Sequence, residues 1–192
     1  MAPGTAQAAQ AAHTVQLAGP LSPREDWKAT ACSLAKALEV VSSKSAMLIL
    51  REAFYGTTRF DEFATRVGIS EPVTAARLKE LVAAGLLERE PYQQPGQRTR
   101  LAYQLTDKGA ELLPVLVSLM QWGDRWLQPA GAPVELHHRG CGAVVQAELR
   151  CAEGHQTGTD ELALTVGPGR RAASPASATA SGADRDPRQA RG

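Results

Sequence analysis

A chain of 192 residues has room for one ordinary domain with appendages, and two full enzyme domains would be cramped in it. Its 21 Lys and Arg stand against 20 Asp and Glu, a formal net charge of +1, so a polyanionic partner has to be held by locally placed charge. Three scattered cysteines exclude a secreted disulfide scaffold and no run is apolar for long enough to span a bilayer, so a cytoplasmic protein without a membrane partner is expected.

Residues 1–24 are rich in Ala, Gln, Gly and Pro, and the first twenty lack the basic start and continuous apolar centre of a signal peptide. With almost no large side chains they cannot offset the entropy of ordering, and a disordered tail is expected. Over 32–41 (CSLAKALEVV), Leu34, Ala37, Leu38 and Val41 fall at helical spacing, and 45–55 repeats the pattern with Met47, Leu48, Leu50, Ala53 and Phe54 up to a stop at Gly56. A shorter amphipathic helix over 59–67 carries Phe60, Phe63, Ala64 and Val67 on one side. Gly68-Ile69-Ser70 then breaks the chain and starts a new helix, with Ser70 as N-cap, Glu71 at the positive end of the dipole and Pro72 in the first turn.

That next helix, over 71–84, is expected to turn Val73, Thr74, Leu78, Leu81 and Val82 to the core. Its other side shows Ala75, Ala76, Lys79 and Ala83, with Arg77 at the margin. Segments 86–91 and 99–105 alternate as strands around the turn chemistry of Gln93 to Gln97, a hairpin with a basic arm at Arg98 and Arg100. Thr106 caps a long final helix whose stripe of Leu112, Leu116, Leu119, Met120, Trp126 and Leu127 is too broad for so small a core. Pro114 is expected to bend that helix. The order is that of a winged helix-turn-helix: mainly α with a small β-hairpin, followed by a linker (129–133), a small β-rich appendage (134–166) and a disordered basic tail (167–192).

Several separated blocks within 32–126 then resemble one known family. These are the cysteine opening the first helix, the LILRE run, Arg59-Phe60, the Gly-Ile-Ser turn, Arg77-Leu78 with Leu81, Gly85-Leu86, Tyr103 with Leu105-Thr106, Lys108-Gly109, and Trp122 to Trp126. In that order they resemble the HxlR family of winged-helix regulators. The resemblance implies a transcriptional regulator that pairs as a homodimer through its first and last helices and binds double-stranded DNA with 25–128. Ser45 stands where the family has a tryptophan, and Thr74 where a leucine is usual. Both exchanges remove apolar bulk from expected core positions.

On this reading the recognition helix approaches the major groove through Ser70, Pro72, Ala75 and Ala76, short side chains that permit close contact, while Arg77 and Lys79 hydrogen-bond bases or phosphates. For Arg77 a structural pairing with a nearby carboxylate is an equal alternative. Lys44, Arg59, Arg98 and Arg100 are the expected phosphate contacts, because a winged helix turns those elements to the duplex. The alternative function is a winged-helix module that binds protein, for which these charges are incidental.

Two further features concern cysteine. Cys32 opens a helix with Lys28 and Lys36 four residues to either side, which would favour its thiolate, and some relatives use a cysteine in this position to sense oxidants or electrophiles. A small buried residue at the dimer interface is the competing reading. In the appendage, His138, Cys141, Cys151 and His155 form a candidate tetrahedral zinc site, the staple that a piece with few large apolar residues needs. Ordinary reduced thiols with surface histidines, or a Cys141–Cys151 disulfide, are the alternatives. No phosphate-binding glycine loop, nucleophile motif or carboxylate pair suggests an enzyme, and Glu39, Glu52, Asp61 and Glu62 read as solvated helix faces.

Overall fold

In the computed structural model, which describes residues 14–22, 24–26, 32–93, 96 and 98–168, helices flank a two-stranded wing. The helices are α1 (Ser33–Val41), α2 (Lys44–Phe54), α3 (Phe60–Val67), α4 (Glu71–Ala83), α5 (Asp107–Ala110) and α6 (Leu113–Leu127). Short strands β1 (Gln16–Leu17) and β4 (Ala163–Leu164) lie at the two ends, and the wing is β2 (Leu87–Tyr92) paired antiparallel with β3 (Arg100–Leu105), with Leu87 opposite Leu105 and Tyr92 opposite Arg100. Lys28, part of the wing turn (94, 95 and 97) and the basic tail from 169 onward lie outside the described residues.

The apolar periods converge on one core. Ile49 and Leu50 of α2, Phe63 of α3, Leu78 and Leu81 of α4 and Leu87 of β2 are fully buried together, with Leu116 of α6 closing the cluster. Burying each such side chain stabilises the fold by about 1.5–3 kcal/mol before entropy is counted. Phe63 meets Tyr103 of the wing edge to face, with ring centroids 6.4 Å apart, so the core ties the helix-turn-helix to the hairpin.

The helix-turn-helix break follows from backbone chemistry. Gly68 ends α3 at φ +71, a left-handed conformation that side chains resist. Ser70 occupies the N-cap position of α4 in extended conformation without a side-chain cap bond. Its carbonyl accepts the Thr74 amide at 2.9 Å and the Thr74 hydroxyl at 3.0 Å. The threonine that replaces the usual leucine is thus fully buried with its polar atom satisfied. Ser45 is half-buried, its Oγ 3.4 Å from that of Ser43.

The far end of α4 is clamped by the segment after the wing. The Leu86 amide donates to Leu81 O and the Gly85 amide to Val82 O, a Schellman closure. The carbonyls left over are taken up by Lys108 Nζ on Ala84 O (2.7 Å), Thr106 Oγ1 on Gly85 O (2.6 Å) and the Thr106 amide on Leu86 O (3.2 Å). Gly109 completes the clamp, because a Cβ there would collide with the Leu86 carbonyl. Gly109→Ala is expected to lower stability by about 1–3 kcal/mol. The check is the urea midpoint, which should fall at unchanged slope.

Five expectations change. Thr106 caps only the short α5, accepting the Gly109 amide at 3.0 Å, and the expected single helix is interrupted there: the chain restarts at α6 with Pro114 in its first turn, where a missing N–H costs nothing. Glu52 is buried, not solvated: it accepts Arg51 Nη2 at 2.6 Å and Thr57 Oγ1 at 3.5 Å, and Arg66 reaches the same Thr57 hydroxyl at 2.5 Å. Val73 is exposed, displaced from the core face of α4. Within the expected N-terminal tail, Gln16 and Leu17 pair in parallel with Ala163 and Leu164, since an extended backbone needs no large side chains to form a ladder. The appendage is held mainly by turns and two isolated bridges, His137 with Val144 and Arg150 with Gln156, and has only β4 as a strand.

Candidate nucleic-acid interface

Helix α4 presents an open outer face. Ser70, Pro72, Ala75, Ala76 and Lys79 are all exposed, while Thr74, Leu78 and Leu81 point inward. Small side chains around Ala76 let a helix backbone approach base edges closely, and Lys79, exposed among them, forms no ion pair among the described residues. Val73, which the apolar period assigned to the core, adds an exposed methyl-bearing group beside this face, suited to a thymine methyl. Arg77 is half-buried and engaged by Glu80 one turn on, and its Nε is buried without a partner.

Around the wing the positives gather. The Arg59 guanidinium lies 5.4 Å from the Tyr92 ring centroid, and Tyr92 is the strand partner of Arg100. Arg59 also bridges to Ala102 of β3, and the Tyr103 amide donates to Thr58 O at 2.8 Å, so the segment before α3 runs beside the wing as a short third strand. Arg59 and Arg100 are thereby brought to one end of the hairpin, next to the exposed Arg98. Lys44, exposed, opens α2. Periodicity could not reveal the Arg59–Tyr92 contact, because the two residues belong to elements distant in sequence.

Cys32 is the half-buried N-cap residue of α1, with no side-chain capping bond, and its carbonyl accepts the Lys36 amide at 3.2 Å, which sets Lys36 one turn along. The His/Cys residues of the appendage occupy two successive tight turns, His138 Nδ1 standing 3.2 Å from Cys141 Sγ and Cys151 Sγ 3.5 Å from His155 Nδ1. They remain two couples: among the described residues no three His, Cys, Asp or Glu side chains gather to hold a metal, and all three cysteines are free.

An exposed helix seated by a glycine turn, beside a hairpin carrying arginines, defines a winged helix-turn-helix protein. The chain belongs to the HxlR-like helix-turn-helix family, whose model matches residues 40–131. An uncharacterised HTH-type transcriptional regulator of Mycobacterium tuberculosis, Rv3095, is 39% identical over 142 residues, 73% of this chain and 89% of that protein. This match is longer than the family interval and so reaches into the flanking sequence. YvaP of Bacillus subtilis, also an uncharacterised HTH-type transcriptional regulator, is 34% identical over 50% of this chain and 87% of its own. Among solved structures, PA1607, a candidate transcription factor, superposes with a TM-score of 0.63 at 34% identity, covering 72% of this chain and 96% of that one. Among the described residues no helix is long and apolar enough to cross a membrane.

Proposed function

We propose that this chain is a transcriptional regulator that binds specific double-stranded DNA sites as a homodimer. The observation that carries the reading is the outer face of α4, small side chains around Lys79, which forms no ion pair among the described residues, flanked by the Arg59, Arg98 and Arg100 group at the wing. Base edges would be met by Ser70, Pro72, Val73, Ala75, Ala76 and Lys79, and phosphates by Lys44, Arg59, Arg98 and Arg100. Arg77 serves chiefly to hold Glu80, and is freed for DNA only by giving up that pair.

Support for the dimer comes from apolar surface left without cover. No residue of α1 is buried, with Leu34 66% exposed, and α6 leaves Leu119, Trp122, Trp126 and Leu127 open to solvent. Cys32 lies at the start of that uncovered α1, so a redox or electrophile response through it would act on the paired helices.

A gel-shift series against the DNA upstream of its own gene tests the reading. Binding is expected to fall steeply with salt. In a dimer, Arg98→Ala removes two phosphate contacts and is expected to lower the slope of log affinity against log salt by about 1.8, whereas Lys79→Ala relaxes base preference as well. No salt-sensitive binding, or no effect of either substitution, overturns it in favour of a protein-binding module. The same assay after mild oxidant, with Cys32→Ser as control, reads the cysteine.

A further inference from the structure

Between α6 and the chain that follows it lies a cleft of about 440 Å³, a size that accommodates small organic ligands. Val117, Met120, Val134, Leu136 and Val144 form its apolar lining. Gln121 fastens the facing wall, donating to Val145 O at 2.7 Å and accepting the Ala147 amide at 2.9 Å, so the cleft is built by the protein's own hydrogen bonds. A neighbouring groove of about 260 Å³ shares Met120, Asp124 and Val134 and extends to the exposed Tyr55, which places Asp124 where the two meet.

The charges select the ligand. Asp124 is half-buried, and its carboxylate has no ion pair or hydrogen bond among the described residues. Glu135 faces the cleft from the opposite wall, 3.3 Å from His137 Nε2. Against these two carboxylates the cleft has only Arg125, whose side chain is exposed. In the adjoining groove Arg51 is engaged by Glu52. At about 100° per residue, four of the five α6 residues lining the cleft (Val117, Met120, Gln121, Asp124) point away from the outward stripe of Val115, Leu119, Trp122 and Trp126. A second copy seated on that stripe would reach the adjoining groove at Leu119 and Leu127 but not the face that carries these four residues.

We propose that this cleft binds a small organic cation, an amine or quaternary ammonium with an apolar body, the body lying against Met120 and Val144 and the head against Asp124. The inference rests on the cleft alone and does not depend on DNA binding. Full-length protein labelled at the methionine methyls provides the test, titrated in turn with 2-phenylethylamine, 2-phenylethanol and 3-phenylpropanoate. The Met120 methyl resonance is expected to move saturably with the amine while Met47, packed against the core, stays in place. The amine should bind about tenfold more tightly than the alcohol, the scale of one charged hydrogen bond, and the carboxylate more weakly than either. Asp124→Asn should bring the amine down to the level of the alcohol, and Asp124→Glu should retain the preference. An unchanged Met47 resonance shows that each variant is folded. No movement of Met120, tighter binding of the carboxylate, or an undiminished amine preference in Asp124→Asn overturns the proposal.

Discussion

Replacing Trp122 and Trp126 together by glutamate is expected to leave a folded monomer whose affinity for its DNA site is lower by about a hundredfold or more. The two rings are 57% and 67% exposed and contribute nothing to the core, so the substitution has little to disrupt within one chain. They lie one turn apart on α6, in line with Leu119, and would place two carboxylates in the middle of the surface proposed for pairing. The loss is large because one half-site carries few contacts. On the proposed reading, a chain of net charge +1 that turns a handful of positive groups toward DNA would gain most of its affinity by engaging two half-sites at once. Light scattering after gel filtration reads the assembly state, and gel shift reads the affinity. A variant that stays dimeric, or a monomer that keeps full affinity, would show that the pairing surface lies elsewhere.

The second large effect concerns folding. Phe63→Ala should cost about 3–5 kcal/mol, because the ring is fully buried between α2, α4 and the wing and its removal opens a cavity that the surrounding helices fill only in part. The consequence reaches beyond α3, since the ring is also the edge-to-face partner of Tyr103. Amide exchange should therefore quicken in β3 as well as in α3, together with a lowered urea midpoint. A loss below about 1 kcal/mol, or protection lost in α3 alone, would mean that the wing is held mainly by the Thr58 and Arg59 backbone contacts.

Much of this domain was legible in the residues because its local signals agree with one another. The helix-period runs, the Gly68-Ile69-Ser70 break and the alternation on either side of the wing turn place the four helices before the wing and its strands to within one or two residues, since each segment has one apolar face and a chemically marked end. The exposed face of α4 was equally readable, because alanines and one lysine opposite a leucine stripe admit one orientation. Glu52 was misread for the opposite reason. A carboxylate on a helix looks solvated until the fold closes Thr57 over it and turns the neighbouring Arg51 onto it. Val73 was misread because a valine at the margin of an apolar stripe is assigned by neighbours that periodicity cannot see.

The winged helix at the centre of this protein was determined by the sequence itself, since apolar period and turn chemistry act over a few residues and need no distant partner. Tertiary structure alone decided the rest. It set Arg59 on Tyr92 beside Arg100, joined Gln16–Leu17 to Ala163–Leu164, and opened a cleft at Asp124. Each of these depends on groups far apart in the chain, whose meeting is governed by how the helices pack and by which backbone groups remain to be satisfied.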